Sequence, residues 1–216
     1  FITGGFRPTN SNTENWIGQV YLYRENEDIP IDDNGKAMLP LLQICLEGLP
    51  YIPDALKGSK VLTIFVSENM PGRLAYNGDA WVIREYKEED VLVVKDIYMQ
   101  SSSRINPYPL KSQLITEDYP VWDSGDIPMD IEDELVEMED SGEITDYYDY
   151  TDCFAGHKIG GYPNYIQSGI DFGDGYEFMI QIASYEKANL NIIDSGNFYL
   201  AKNSQTGDWR LYCDFY

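Results

Sequence analysis

Short apolar runs recur in both halves of the chain. They occupy residues 61–66 and 82–86 in the first half and residues 198–200 and 210–216 in the second. β-Branched and aromatic residues dominate these runs, and such side chains favour strands because they pack well on a pleated, half-buried surface. The pattern therefore predicts strands at all four places.

A Gly-Asp pair precedes the later run in each half. The first is Asn77-Gly78-Asp79-Ala80-Trp81 and the second is Thr206-Gly207-Asp208-Trp209. Glycine supplies the positive φ that a tight hairpin turn requires. Each half is therefore predicted to be a small unit of antiparallel strands.

A different period appears between residues 127 and 140. Ile131, Leu135 and Met138 stand four and three residues apart, the spacing of a helix that buries one face. Pro128 suits the start of such a helix, and Ser141-Gly142 suits its end. We predict a helix here, with a buried apolar stripe and with its carboxylates pointing mainly outward.

Several elements occur twice in the same order. Gly4-Gly5-Phe6-Arg7-Pro8 is matched by Gly160-Gly161-Tyr162-Pro163, and Leu42-Gln43-Ile44 is matched by Ile180-Gln181-Ile182. The interval from Gln43 to Gly58 equals the interval from Gln181 to Gly196, 15 residues each. Such self-similarity indicates an internal repeat; the alternative is coincidence among common glycine and aromatic residues.

Together these patterns predict one α+β domain over residues 1–216. Its β-rich core is duplicated, with a first pseudo-repeat of antiparallel strands over about 1–98 and a second over about 156–216. An acidic segment over about 112–155 connects them, and the domain has a few helices, one of them acidic. A chain of 216 residues is long enough to bury a sizeable core without disulfide or metal staples.

Charge is the strongest compositional signal. The chain has 15 Lys and Arg against 37 Asp and Glu, a net charge of −22. Such a surface repels nucleic acid and anionic lipid, so we expect no direct nucleic-acid or membrane partner and favour cationic ones. Solubility alone is the competing explanation.

The acids are concentrated in one tract. Glu117 to Asp152 contains 15 acidic residues, and no Lys or Arg lies between Lys111 and Lys158. Tyrosines interleave the second half of the tract, and Tyr recurs at protein interfaces while acids steer a basic partner. The candidate partner-binding residues are Asp130, Glu132, Asp133, Glu134, Glu137, Glu139, Asp140, Asp146, Tyr147, Tyr148, Asp149 and Tyr150. A solvated helix and loop that keep the protein soluble is the alternative.

The single histidine, His157, has no evident catalytic company. The chain lacks G-x-S-x-G, H-E-x-x-H and C-x-x-C motifs, a phosphate-binding loop and a calcium loop. A zinc site of Cys153, His157, Cys45 and Cys213 is conceivable, although structural zinc ligands usually come in closely spaced pairs. We expect a structural His157, no catalytic residue, no metal and no cofactor.

Cysteine use and hydropathy bear on location. The three cysteines are an odd set without close pairing, as expected of free thiols in a reducing compartment. No apolar run reaches the ~18 residues of a membrane span, and the start, at Phe1, does not resemble a signal peptide. These features favour a cytoplasmic location.

The order of these motifs resembles the YwqG-like family of domains of unknown function, from Gly4 to about Leu200. The block from His157 to Gln167 is its most specific part. The matching positions, for which we expect structural roles, are Gly4, Gly5, Pro8, Gln43, His157, Gly160, Gly161, Tyr162, Pro163, Gln167 and Gln181. The long acidic insertion before His157 departs from the family.

The resemblance implies an α+β fold with a duplicated β-rich core. Some members are immunity proteins of bacterial polymorphic toxin and type VI secretion systems, including against nuclease effectors. Joined to the net charge of −22 and to the acid tract, which the family does not share, this resemblance favours a non-enzymatic protein that binds and neutralises a cognate basic toxin, such as a nuclease, through its acidic surface. The alternatives are a scaffold or adaptor, or a carboxylate-dependent hydrolase using acids of the tract or of Asp171-Phe172-Gly173-Asp174.

Overall fold

Two antiparallel sheets dominate the computed structural model, which describes residues 1–9, 11–72, 74–97 and 104–216. The first sheet has the spatial order β1 (Ile2–Thr3), β9 (Tyr108–Lys111), β2 (Asn15–Ile17), β4 (Leu39–Cys45), β5 (Ser59–Val66) and β7 (Trp81–Lys87). The second has the order β10 (Lys158–Ile159), β11 (Tyr176–Ala183), β12 (Asn197–Asn203), β13 (Trp209–Asp214) and β6 (Leu74–Tyr76). β3 (Leu22–Tyr23) and β8 (Val93–Val94) form a separate ribbon.

The strand predictions are confirmed. The four apolar runs form β5, β7, β12 and β13, and the two Gln-containing triplets lie in β4 and β11. Antiparallel sheets and one α-helix are consistent with an α+β fold in which strand predominates.

The main core lies between the two sheets. Leu62 and Ile64 of β5 and Phe198 and Leu200 of β12 belong to one cluster of fully buried side chains. The opposite faces are also covered, for example by Tyr165, which packs on the outer side of β12 and β13. Burial on both faces explains why these strands are continuous apolar runs rather than alternating ones.

The two Gly-Asp turns differ in what they connect. Thr206–Trp209 closes a hairpin, because β12 and β13 pair, with Lys202 opposite Trp209. Asn77–Trp81 does not, since β6 before it pairs with β13 of the other sheet. The prediction of a hairpin there is wrong. The local turn chemistry is right, but the strand partner lies 136 residues further on, with Leu211 opposite Ala75.

Each sheet therefore includes a strand from outside the pseudo-repeat that supplies its other strands. Residue 98, where the first pseudo-repeat was expected to end, lies outside the described residues. β9 comes after that boundary but lies inside the first sheet, and β6 comes before it but lies at the edge of the second. The two halves thus share their sheets.

The predicted helix forms as α1 (Met129–Ser141). Gly142 ends it in a left-handed conformation, φ 76°, and its N–H donates to the Glu139 carbonyl at 3.0 Å. The expected buried stripe is wrong: no side chain of α1 is buried, Ile131 is exposed, and Leu135 and Met138 are half-buried. The helix therefore lies on the surface with little packing beneath it.

Fewer helices form than "a few" implies. In the described ranges α1 is the one α-helix, and short 3-10 helices occur at Asp54–Leu56, Trp122–Ser124, Tyr147–Asp149 and Glu186–Ala188.

Candidate protein-binding site

A buried ion pair fastens the acidic segment (residues 112–155) to the second sheet. The Asp118 carboxylate accepts hydrogen bonds from Lys158 Nζ, at 3.2 and 3.0 Å, and from the backbone N–H groups of Phe154 and Tyr162 at 2.8 and 2.9 Å. The side chains of Asp118 and Lys158 are 13% and 8% exposed. We call this arrangement the Asp118 anchor.

The Gly160-Gly161 pair makes room for that anchor. Both glycines have left-handed backbones, with φ of 69° and 72°. A Cβ on Gly161 would lie 2.2 Å from Asp118 Oδ2, and one on Gly160 would lie 2.5 Å from Tyr51 Cε1. Glycine is required here by both conformation and space, so the most specific part of the motif is where the acidic segment attaches.

His157 has the environment of a structural residue. It is 4% exposed, and its Nδ1 accepts a hydrogen bond from the Ala183 N–H at 3.1 Å. Burial lowers the pKa of its imidazole to about 4. Within the described residues Nε2 has no hydrogen-bond partner, and the ring stands edge-on to Tyr185 at 5.9 Å. The imidazole is therefore neutral and held by the end of β11.

A pH titration tests this assignment through His157→Asn, which keeps a hydrogen-bond acceptor near Ala183. In the wild type we expect the free energy of unfolding to fall as the pH is lowered from 6.5 to 4. In this range the imidazole binds a proton in the unfolded protein but not in the folded one. The variant should lose this part of the slope. Urea unfolding from pH 7 to 4 measures it, and equal slopes would contradict a buried neutral His157.

Gln43 and Gln181 satisfy buried backbone, as we expected of them. Gln43 Oε1 accepts from the N–H groups of Tyr21 and Leu22 at 2.8 and 3.0 Å. Gln181 Oε1 accepts from the Asn164 N–H at 2.7 Å. The Nε2 group of each donates to backbone carbonyls of the preceding chain. Both glutamines are buried and hold a loop that follows a short neighbouring strand.

The remaining motif residues are divided between the sheets. The Gly4 N–H donates to the Pro109 carbonyl at 3.0 Å, at the first sheet, and Gly5 and Pro8 are exposed there. Pro163 is buried beside the second sheet, and Gln167 Nε2 donates to the Phe215 carbonyl at 2.6 Å. The loop containing Gln167 is therefore hydrogen-bonded to the residues that follow β13, at the C-terminal end of the second half.

The carboxylates of α1 divide into accessible and engaged groups. Asp130, Asp133, Glu134, Glu137 and Asp140 are exposed. Glu132 is half-buried. Glu139 is also exposed, but its Oε1 accepts from the Tyr147 N–H at 3.0 Å. The five exposed acids other than Glu139 are the ones available to a partner.

The tyrosines after the helix differ in the same way. Tyr147 is buried, and its hydroxyl donates to the Pro120 carbonyl at 2.8 Å, so it packs the segment together. Asp146 Oδ1 accepts from the Tyr148 N–H at 2.7 Å and begins the 3-10 helix. Tyr148, Asp149 and Tyr150 are exposed. Two aromatic rings and at least one carboxylate therefore face solvent here.

Apolar side chains lie among these acids. Met129, at the start of α1, is 77% exposed, and Ile131 and Val136 are also exposed. The helix consequently presents a mixed acidic and apolar surface. Exposed apolar groups rimmed by polar ones are typical of protein-interaction surfaces.

Two surface cavities accompany the sheets. One, of about 330 Å³, lies between Tyr51, the start of the acidic segment at Leu114 and Ile115, and Ile159 of β10; Asp118 is part of its lining. The other, of about 340 Å³, includes Glu68 in its lining. Each cavity has a single carboxylate, so neither offers the pair of converging acids that the hydrolase alternative needs.

A second buried ion pair links the sheets and was missed from the sequence. Lys202 Nζ of β12 lies 2.8 Å from Glu85 Oε1 of β7, and Trp209 Nε1 donates to Glu85 Oε2 at 3.1 Å. Burial raises the pKa of Glu85, but hydrogen bonds from Lys202, Lys87 and Ser59 outweigh it and lower the pKa to about 2. Charged residues inside strand-forming apolar runs were the available signal, since such residues are rarely buried unless paired.

The alternatives based on metals and on the Asp171 turn find no supporting geometry. Cys45 and Cys213 are buried in strands of different sheets, and among the described residues no three His, Cys, Asp or Glu side chains are grouped as metal ligands. Asp171 Oδ1 accepts from the Gly173 N–H at 2.7 Å, a local turn contact. In the same ranges no helix is long and apolar enough to cross a bilayer.

The structure joins the two parts of the sequence that were singled out separately. The motif around Gly160 and Gly161 receives the acidic segment, and that segment carries the exposed acids and tyrosines. Models of known protein families give no match to this chain, and neither do curated proteins.

Proposed function

We propose that this protein binds a basic protein partner through its acidic segment and acts as an immunity protein that neutralises a cognate toxin. A nuclease is the toxin class that the YwqG-like resemblance suggests. The observation that carries the proposal is α1, a surface helix with no buried side chain and six exposed carboxylates, of which Glu139 alone is engaged by the Tyr147 N–H. The protein itself needs no catalytic residue for this function.

The helix has no buried side chain, so packing of the core does not explain why it is so acidic. Like charges one turn apart each cost a few tenths of a kcal/mol, and no Lys or Arg lies between residues 112 and 157 to relieve them. Cations of a partner would remove that repulsion. The exposed Met129, Ile131 and Val136 would at the same time leave water.

A nuclease suits such a surface because it must present cations to phosphate. An acidic surface can occupy the same cations and block the nucleic-acid groove. Association would be fast through electrostatic steering and would weaken with added salt. Inhibition of a nuclease in this way would take place in the cytoplasm, where its substrate is.

Charge neutralisation on the helix tests the proposal. The variant replaces Asp130, Asp133, Glu134, Glu137 and Asp140 by Asn or Gln. We expect the association rate with the toxin encoded beside this gene to fall at least tenfold, because steering depends on these charges. Protection of cells that express the toxin should be lost in parallel. Stopped-flow binding at several salt concentrations and a growth assay measure the two effects.

A matched control separates local from net charge. It neutralises five exposed acids elsewhere, Glu25, Asp33, Glu47, Glu88 and Glu89, and so has the same net charge as the helix variant. This control should retain protection. If both variants lose protection equally, the effect depends on net charge and not on the helix. If the toxin is bound but stays active, the adaptor function is favoured over the immunity function.

We also propose that the two halves derive from one β unit. Residues 46–58 and 184–196, connections of equal length, join β4 to β5 and β11 to β12. Before each pair comes a short strand, with Trp16 opposite Gln43 and Lys158 opposite Gln181. Within this proposal the counterpart of Gly160 is Gly18, whose N–H donates to the Leu41 carbonyl as that of Gly160 donates to Met179. Gly4-Gly5 is then not the counterpart.

A further inference from the structure

The cavity beside the Asp118 anchor has several exposed apolar side chains in its wall. Tyr51 and Leu114 are 52% and 51% exposed, and Ile115 is exposed as well. Proteins seldom leave several large apolar side chains in water around one cavity without an interaction partner. Its volume of about 330 Å³ is at the small end of the range for ligand sites.

The charged side chains of this cavity are already used. Lys158 and Asp118 neutralise each other at 3.0 Å, and the remaining acceptor positions of Asp118 are taken by the Phe154 and Tyr162 N–H groups. Phe1 also lines the cavity, and its amino group donates to the His157 carbonyl at 2.7 Å. The lining side chains therefore offer an inserted group neither a free cation nor a free carboxylate. An uncharged, apolar group is the one that gains by entering it, because a charged group would lose its hydration without a counter-ion.

The surroundings of the cavity are nevertheless anionic. Leu114, Ile115 and Asp118 are the first part of the acidic segment, and Glu117 among them is exposed. Directly after them the Tyr119 N–H donates to the Asp152 carbonyl at 3.2 Å, which brings the end of the acid tract next to its beginning. A chain that places an apolar side chain in the cavity thus meets carboxylates with its neighbouring residues.

We propose that this cavity receives one large uncharged side chain, aromatic or aliphatic, from a basic polypeptide, with the flanking cations of that polypeptide on the acidic segment. The inference rests on the proposed function and names the contact that gives it specificity. Interfaces typically combine one such buried anchor with a charged rim that steers but adds less affinity. Two of the lining residues are tied to the second sheet: Asp118 through its ion pair with Lys158, and Gly160 through its N–H, which donates to the Met179 carbonyl at 2.9 Å.

Three synthetic peptides test the proposal with the whole protein. The first has a central Trp between four Lys on each side, the second replaces Trp by Ala, and the third keeps Trp but has Glu in place of Lys. Fluorescence anisotropy of labelled peptides at low salt gives the affinities. We expect the Trp-Lys peptide to bind at least tenfold more tightly than the Ala-Lys peptide, and the Trp-Glu peptide not to bind.

Variants of the wall assign the effect to this cavity. Leu114→Ser with Ile115→Ser should abolish the advantage of Trp over Ala, whereas Ile31→Ser with Val91→Ser, at exposed positions outside the cavity lining, should preserve it. The wild-type comparison of peptides stands even if a wall variant folds poorly.

The outcomes separate this inference from the proposed function. Equal binding of the Trp-Lys and Ala-Lys peptides would overturn the inference and leave charge-driven binding intact. Binding of the Trp-Glu peptide would overturn the assignment of a basic partner. If neither Lys-rich peptide binds, the inference and the charge-driven binding behind the proposed function both fail.

Discussion

Replacement of Glu85 by Gln is expected to destabilise the protein by roughly 3–5 kcal/mol at pH 7, because it leaves a buried cation without its counter-ion. Lys202, the partner of Glu85 at 2.8 Å, has a side chain only 7% exposed. In the variant Lys202 keeps only neutral partners, namely the amide oxygen of the new Gln, the Ala55 carbonyl at 2.8 Å and the face of the Trp209 ring. Urea unfolding followed by Trp fluorescence measures the loss.

Two further variants separate this explanation from a general effect of charge. Glu89→Gln removes an exposed acid just after β7 and should change stability by less than about 0.5 kcal/mol. Combining Glu85→Gln with Lys202→Met should recover most of the lost stability, because no unpaired charge then remains buried. If the double variant is as unstable as Glu85→Gln alone, the cost lies in packing rather than in the ion pair.

The contribution of Glu85 should also depend on pH in a defined window. Its pKa is lowered from 4.5 to about 2 in the folded protein. A carboxylate whose pKa is lowered by folding stabilises fully above its unfolded pKa, and it loses this contribution as the pH falls through the folded value. The difference in free energy of unfolding between wild type and Glu85→Gln should therefore become smaller as the pH is lowered from 4.5 to 2.

Replacement of Gly161 by Ala is expected to detach the acidic segment from the second sheet. A left-handed backbone costs Ala roughly 1–2 kcal/mol, and the new Cβ would lie 2.2 Å from Asp118 Oδ2. Displacing that carboxylate leaves Lys158 charged, buried and unpaired, which adds several kcal/mol. We expect a total loss of roughly 3–5 kcal/mol and faster proteolysis within residues 112–155.

Gly35→Ala is the matched control for this substitution. Gly35 has a similar φ of 75°, and nothing lies within 4 Å of the position of its Cβ. Gly35→Ala should therefore lower the free energy of unfolding only by the cost of the left-handed backbone, roughly 1–2 kcal/mol. In an Asp118→Ala background, Gly161→Ala should likewise cost only the backbone term, because the clashing carboxylate is gone. A full-sized effect in that background would contradict the role assigned to the Asp118 anchor.

The acidic segment illustrates how far local patterns reach. The period of Ile131, Leu135 and Met138 correctly predicts the helix, and Pro128 and Gly142 correctly predict its ends. The same period wrongly predicts a buried face. Burial needs a second surface to pack against, and in the structure the contact beneath α1 leaves Leu135 and Met138 only half-buried. Periodicity therefore specified the element but not its environment.

The candidate site shows the same division. The sequence singled out His157, Gly160 and Gly161 as parts of one short motif, and it singled out the acids by their number. It did not show that the motif and the acidic segment are in contact. Asp118 was one of 15 acids in its tract and had no local feature to distinguish it. Its role depends on Lys158, 40 residues further along the chain, at 3.0 Å.

The sequence by itself determined the strands β5, β7, β12 and β13, the helix with its ends, the location of the two Gly-Asp turns and the excess of acids, because each depends on residues close together along the chain. Only the tertiary structure decided that β6 pairs with β13, that Glu85 and Lys202 join the sheets, and that Asp118 anchors the acidic segment. Such pairings are fixed by which buried strands and charges meet in the folded core. Partners separated by 40 to 136 residues leave no regular spacing in the chain from which they could be predicted.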